Sequence, residues 1–532
     1  MTIRLTFHGA TRSVTGSCFR LETEHGQILI DCGLFQGSKS EKELNYRPFP
    51  FAPDGIAAVV LSHAHIDHSG LLPKLSKAGF RGPIFSTPAT ADLAGVMLPD
   101  SAYIQEMEVE HLNKRNAHRG REPVEPIYVP ADAEACLKQF RGKPYGEWFD
   151  AAPDIRARFW NAGHLLGSAS IELAVAQGGK PPLRMLFSGD IGPNFKLLHP
   201  DPAAPSDLDY VVCEGTYGDT ARVQTDEAGR RRILRDEVRA ALRPEGVLLI
   251  PSFAVERTQE LISDLVQLMD EGAIPTIPIH VDSPLATKAS EVFKRHAGEL
   301  ERGESLVRGL TSGAVHFTES VEESMALDGL RAFHIVIAAS GMCEAGRIRH
   351  RLKNWLWRKE ATVLFVGFQA EGTLGRILQG GATSVRIQGE EFQVHARLRS
   401  IDLYSGHADG PELGEWVAKR LPISRQVFLV HGEEAALAGL QARLRPMLGE
   451  DQIVLPTIDE AFELTSDGAR PVRTPVPPRI EPQKLARLDW HNDVSRLILD
   501  INDKLAGAAD EKARAVLVRR LRRALVDEGQ GG

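Results

Sequence analysis

The chain has 532 residues, 42% of them hydrophobic and 25% charged, with a formal net charge of −8. Such a length predicts two or three domains of a globular protein, and the acidic balance excludes a wholly basic nucleic-acid binder while leaving room for a local basic channel. No apolar run is long enough to span a bilayer, MTIRLTFHGA lacks the parts of a signal peptide, and five scattered cysteines without CxxC spacing predict buried thiols in a reducing cytoplasm, no membrane partner and no thiolate zinc site.

Residues 1–60 alternate like antiparallel β-structure, with Gly26 and Gly33 among the turn residues between runs. The apolar strand at their end leads into SHAHIDHSG, which packs His63, His65, Asp67 and His68 into six positions. From about residue 180 the pattern changes to short, nearly continuous apolar runs, among them LRMLFSGDIG, GVLLIPSFA, FHIVIAASGM and TVLFVGFQA. VERTQELISDLVQLM, LATKASEVFKRH and GRIRHRLKNWLWR read as helices between them. This alternation predicts βα units around a buried, largely parallel sheet, with working groups at the C-terminal strand ends. After residue 383 antiparallel patterns return, up to YSGHAD, and QVFLVHGEEAALAGLQARL forms one more strand–helix unit. The chain thus leaves a β-rich domain, builds an α/β insert and comes back. GARPVRTPVPPRIEP (468–482) reads as a Pro-rich linker, followed by two amphipathic tail helices.

His63 and His65, two apart on an extended segment, project from one side, and Asp67 and His68 begin a helix. Imidazole nitrogen and carboxylate oxygen without thiolate suit zinc, with manganese or iron as lesser candidates. Four ligands this close cannot all wrap one tetrahedral ion. They can serve two, His63 and His65 on one, Asp67 and His68 on the other. Three further candidates stand at strand ends: His164 in NAGHLLGSAS to complete the first ion, His431 in FLVHGEE to complete the second, and Asp190 in FSGDIG to bridge both. A hydroxide between two ions roughly 3.5–4 Å apart suits in-line attack on a phosphodiester, and burying so many polar groups without a metal would be costly.

SHAHIDHSG resembles the HxHxDH motif of the metallo-β-lactamase fold, and GHLLGSA and FSGDIG are similar to its later histidine and bridging-aspartate motifs. CEGTYGD resembles motif A of the β-CASP branch, YSGHAD motif B and LVHGE motif C; PSFAVERTQEL, DSPLATKASEVF, SGMCEAGRIRHRL and VGFQAEGTLGRIL are also typical of that branch. The resemblance covers about residues 1–465 and is nearest to bacterial and archaeal relatives of the endonuclease subunit of the eukaryotic cleavage and polyadenylation specificity factor. It implies an α/β fold: an αββα sandwich (1–215 and 396–467) with an inserted β-CASP α/β domain (216–395); the linker and helical tail read above (468–532) lie outside the family pattern. It also implies a ribonuclease with two Zn2+ (or Mn2+) that hydrolyses single-stranded RNA, internally, from a 5′ end, or both. The catalytic residues would be Asp67, Glu214 and His407, with Glu214 supporting His407 as general acid. Histidine at motif C, His431 here, favours RNA over DNA.

Phosphates need donors without bulk. Ser405 near His407, Ser340 and Gly341 at the opening of a helix, and the cations Arg257 and Arg347 are the candidates. The basic runs 113–121, 346–359 and 518–525 read as solvated helix faces, Trp355 and Trp357 as packing residues, and the tail as a packed hairpin, a self-association element for a homodimer, or an RNA contact. The rivals are a DNA nuclease of the same branch, a small-molecule metallo-hydrolase, which leaves Glu214 and His407 unexplained, and a non-catalytic RNA-binding paralogue, which the complete ligand set disfavours.

Overall fold

Ile3–Phe7, Phe19–Glu22 and Gln27–Ile30 pair antiparallel in the computed structural model, as their alternation predicts. The structure describes residues 2–472 apart from 119, 223–224 and 370–372, together with 478–480, isolated positions between 497 and 510, and 511–527. Ala58–Val60, Ile84–Ser86 and Phe140–Gly142 extend the first sheet in parallel. Its other edge is closed by strands from far along the chain, Glu460–Thr465 beside Ile3–Phe7 and then Gly468–Val472. A second, seven-stranded sheet runs in the order Ile453–Val454, Val427–Val430, Tyr210–Glu214, Leu183–Phe187, Ala169–Val175, Ile155–Asn161, Phe149–Ala152.

The two sheets meet through their apolar faces. Phe7 packs on Phe428 at 5.2 Å between ring centroids, and Phe19 on Phe187 at 5.9 Å. Helices cover the outer faces: Leu72 and Leu75 against the first sheet, Leu413, Trp416, Leu437 and Leu440 against the second. This is the expected αββα sandwich.

The insert is a six-stranded sheet, ordered Val315–Phe317, Ile279–Asp282, His334–Ala338, Val247–Pro251, Ala361–Phe365, Arg397–Ser400, with every pairing parallel. Val247–Pro251, His334–Ala338 and Ala361–Phe365 are buried at every position. Leu248 and Ile250 face the helices Arg257–Asp270 and Pro284–Arg295, whereas Val247 and Leu249 face Ile348–Trp355. Burial on both faces is why these strands read as unbroken apolar runs. Trp355 is a buried packing residue here, and Trp357 is exposed. The long helix Pro88–Ala117 joins the two bodies, with Asp92 accepting from His296 Nε2 at 2.9 Å.

Two expectations change. RLRS, read as part of a returning antiparallel region, is the sixth parallel strand of the insert, whose sheet therefore reaches Ser400 rather than 395. The start of the Pro-rich stretch, Gly468–Val472, is an edge strand, not linker. A little further on, Arg479 holds Asp459 (3.0 Å) and the His8 carbonyl, and Ile480 is buried with Phe35, Leu44 and Ile458. The second tail helix is Glu511–Asp527. The first lies mostly outside the described residues.

Candidate active site

The site stands at one rim of the sandwich, where strand ends from both sheets converge. After Ala58–Val60 the chain turns through the His63–His68 segment. The Ser62 amide donates to Asp31 Oδ1 at 2.7 Å, and its hydroxyl donates to Asp31 Oδ2 at 2.9 Å. His68 Nδ1 donates to the same Oδ2 at 2.7 Å, which fixes its tautomer and turns Nε2 inward. Likewise His164 Nδ1 donates to the Gly406 carbonyl at 2.6 Å, and His431 Nδ1 to Thr216 Oγ1 at 3.2 Å. Each ring is thus held from behind with a lone pair aimed at a common space.

Two ligand sets result. In the first, His65 Nδ1 lies 3.2 Å from His63 Nε2 and 3.1 Å from His164 Nε2, and Asp190 Oδ2 lies 3.4 Å from His63 Nε2 and 3.6 Å from His164 Nε2. In the second, His68 Nε2 lies 3.1 Å from both His431 Nε2 and Asp190 Oδ1, and Asp67 Oδ2 lies 3.4 Å from His431 Nε2. Asp190 belongs to both, one oxygen to each. Its Oδ1 is buried without a hydrogen-bond partner. Imidazole lone pairs converging on carboxylate oxygens in a buried space is a donor set that fits divalent cations such as zinc. Burial and the neighbouring His63 hold the His65 imidazole down at about 3, which keeps it in the neutral form a metal requires.

At the edge of this group His407 Nδ1 donates to Glu214 Oε1 at 3.2 Å, and its Nε2 stands 3.9 Å from Asp190 Oδ2. Glu214 is buried and anchored by backbone: Oε1 accepts from the Ile191 amide at 2.7 Å and Oε2 from the Thr216 amide at 3.2 Å. His407 is less buried, its ring 4.6 Å from that of His164. The structure therefore brings together His63, His65, Asp67, His68, His164, Asp190, His431, Glu214 and His407. Ser405 lies beside them, its Oγ accepting from the His407 amide at 3.2 Å.

The other expected phosphate contacts divide. Arg257 lies at the start of the helix Arg257–Asp270, its Nε donating to the Tyr404 carbonyl at 2.9 Å. Ser340 and Gly341 belong to the turn after His334–Ala338, because the next helix starts only at Ile348. Arg347 spends its guanidinium inside the insert, on Asp282 (3.0 Å), Thr318 and the Glu319 carbonyl.

Sequence reasoning missed Asp31 and a buried charge cluster behind His164. Lys196 Nζ donates to the His164 carbonyl and lies 3.4 Å from Glu256 Oε1. Glu256, in the left-handed region at φ 73°, accepts from the Leu166 amide at 3.1 Å and from His199 Nε2 at 2.7 Å. Burial opposes its ionisation, but His199 and Lys196 outweigh that and hold the carboxyl at about 2. Glu256 comes from the insert, and Leu166 and His199 from the sandwich, so the cluster pins one body to the other. Glu260, one turn further on, is pushed up to about 7 by burial and by Glu256. An acid raised in the folded state contributes stability below its unfolded pKa, and that contribution is lost as pH rises through 7. Glu260→Gln should therefore unfold later than wild type at pH 8, by about 1–3 kcal/mol, and together with it near pH 4.5, as read from denaturant midpoints.

Comparison with known proteins extends the picture. Residues 12–84 match the metallo-beta-lactamase superfamily, 258–378 the Beta-Casp domain, and 391–456 the Zn-dependent metallo-hydrolase RNA specificity domain. The chain is 36% identical over 458 residues to the ribonuclease TTHA0252 of Thermus thermophilus, covering 84% of this chain and 97% of that protein. It is 31% identical to the transcription termination factor FttA of Methanothermobacter thermautotrophicus, covering 81% of this chain and 67% of that one. The factor of the same name from Pyrococcus abyssi is also 31% identical, with 84% and 69% covered.

Proposed function

We infer the function from one premise: the chain belongs to the β-CASP family of the metallo-β-lactamase superfamily. It is a metal-dependent ribonuclease. The observation that carries the finer reading is the pair of ligand sets sharing Asp190, with His407 and Glu214 at their edge.

We propose two zinc sites, one held by His63, His65 and His164, the other by Asp67, His68 and His431, with Asp190 common to both. Zinc bound there would supply Lewis acidity to the phosphoryl oxygens and a water whose pKa falls to about 7. The chain's own residues do the rest. Asp31, the Gly406 carbonyl and Thr216 keep three imidazoles in the ligating tautomer and orientation. Glu214 keeps the His407 proton on Nδ1 in the neutral ring and stabilises the doubly protonated ring from which Nε2 gives its proton to the departing 3′-oxygen. The products would then carry a 5′-phosphate and a 3′-hydroxyl. The substrate would be single-stranded RNA.

The test uses single strands of one sequence, RNA and DNA, each 5′-labelled, with zinc-loaded protein and Asp67→Ala as control. The expected result is two zinc ions per chain and cleavage of RNA alone, lost in the variant; the label then separates internal cuts from release of 5′ nucleotides. Equal cleavage of DNA would overturn the RNA preference, and activity retained in Asp67→Ala would overturn the site assignment.

A further inference from the structure

Two phenyl rings of the insert stand in solvent. Phe253 is 41% exposed and Phe368 50%. Both follow the C-terminal ends of neighbouring parallel strands, Val247–Pro251 and Ala361–Phe365. Isolated exposed apolar residues are ordinary, but Phe368 is tied to the candidate general acid by a chain of ring contacts, and Phe253 stands at the end of the neighbouring strand. Phe368 meets Tyr217 edge-on at 5.7 Å, and Tyr217 meets His407 edge-on at 5.8 Å.

Cations lie against the same rings. Arg257 is 4.8 Å from the centre of Phe253, and Arg222 is 4.2 Å from that of Tyr217 while donating to the His407 carbonyl at 2.9 Å. Two glycines leave the space these groups need. A Cβ on Gly341 would sit 3.1 Å from the Phe253 ring, and one on Gly367 would sit 2.9 Å from the Arg257 guanidinium. Flat, half-exposed rings interleaved with guanidinium groups make a surface for the faces of unpaired bases, because every base offers a π-face and the backbone offers negative charge.

On the ribonuclease reading above, we infer that Phe368 and Phe253 stack bases of the RNA on the 5′ side of the scissile phosphate. The direction follows from the chemistry. His407 gives its proton to the departing 3′-oxygen, which belongs to the nucleotide 5′ of the cut, and the ring contacts lead away from His407. Phe368 takes the nearer base and Phe253 the next. Paired bases cannot offer their faces in this way, so the platform also selects unpaired RNA.

A double-mutant cycle between protein and substrate tests this. Four values of kcat/KM are compared: wild type and Phe368→Leu, each on an RNA with a mapped cut and on the same RNA made abasic at the nucleotide immediately 5′ of that cut. Leucine keeps an apolar side chain at an exposed position but has no ring, and Phe368→Trp serves as the rescue. The expected result is an about 5- to 100-fold loss for either change alone, with little further loss when both are combined and recovery on intact RNA with tryptophan. Multiplicative losses would overturn the inference, since a merely structural Phe368 would lower both substrates by the same factor. No loss on intact RNA would overturn it as well. A wild-type protein that cuts neither RNA would instead sink the ribonuclease reading, and the inference with it.

Discussion

Asp190→Asn is expected to bind fewer than two metal ions per chain and to lose at least about 10³-fold in kcat/KM, since metal-assisted charge stabilisation is worth several kcal/mol and each 1.4 kcal/mol is tenfold. Among the described residues no other serves both ligand sets, with Asp190 Oδ2 toward His63 and His164 and Oδ1 toward His68. An amide has one acceptor oxygen and turns a donor toward the other set, so one change weakens both sites. The loss of activity alone would not separate this from misfolding. Thermal unfolding with and without a chelator does. Ligands that bind only the folded chain stabilise it, so chelation should lower the wild-type midpoint clearly and the variant's much less. A variant with full metal content and near-normal cleavage would remove Asp190 from the shared position.

His407→Ala is expected to leave metal content unchanged and to lower kcat by about 10²–10⁴-fold, the usual contribution of a positioned general acid. Glu214→Gln keeps the ring but replaces the carboxylate that accepts from Nδ1 at 3.2 Å, and should cost about 10–100-fold. The proton requirement gives a sharper readout. A nucleotide p-nitrophenyl ester has a leaving group stable as an anion, so on that substrate His407→Ala should recover most of its loss while Asp190→Asn should not. Equal losses of His407→Ala on both substrates would mean that His407 positions the site rather than protonates the leaving oxygen.

Much of this site was legible because its chemistry is dense. HxHxDH puts four polar groups where a strand should pass into a helix, and His164, Asp190 and His431 stand where apolar strands stop. Asp31 was not legible. It is one carboxylate at the end of an apolar strand, and its partner His68 is 37 positions away. Glu256 reads as the start of an ordinary amphipathic helix, and only the packing of insert on sandwich brings it to Leu166. The central strands of the insert were readable because both faces are covered. Arg397–Ser400 was misread because it is an edge strand, half-exposed and polar, so it mimics antiparallel alternation. Gly468–Val472 was misread for the same reason, since Pro471 is tolerated only where no neighbour needs its amide.

The order of strands in the sandwich also bears on how the enzyme comes into being. All the proposed ligands but His431 lie before residue 191, yet Tyr210–Glu214 pairs with Val427–Val430, the strand that ends in His431, and Ile3–Phe7 pairs with Glu460–Thr465. At roughly 5–20 residues per second, translation from Glu214 to His431 takes on the order of tens of seconds. Throughout that interval the emerging polypeptide carries neither the last ligand nor, for most of it, His407. A nascent chain that stops within the insert therefore lacks both His431, a member of the second proposed ligand set, and His407, and is expected to be unable to cut RNA.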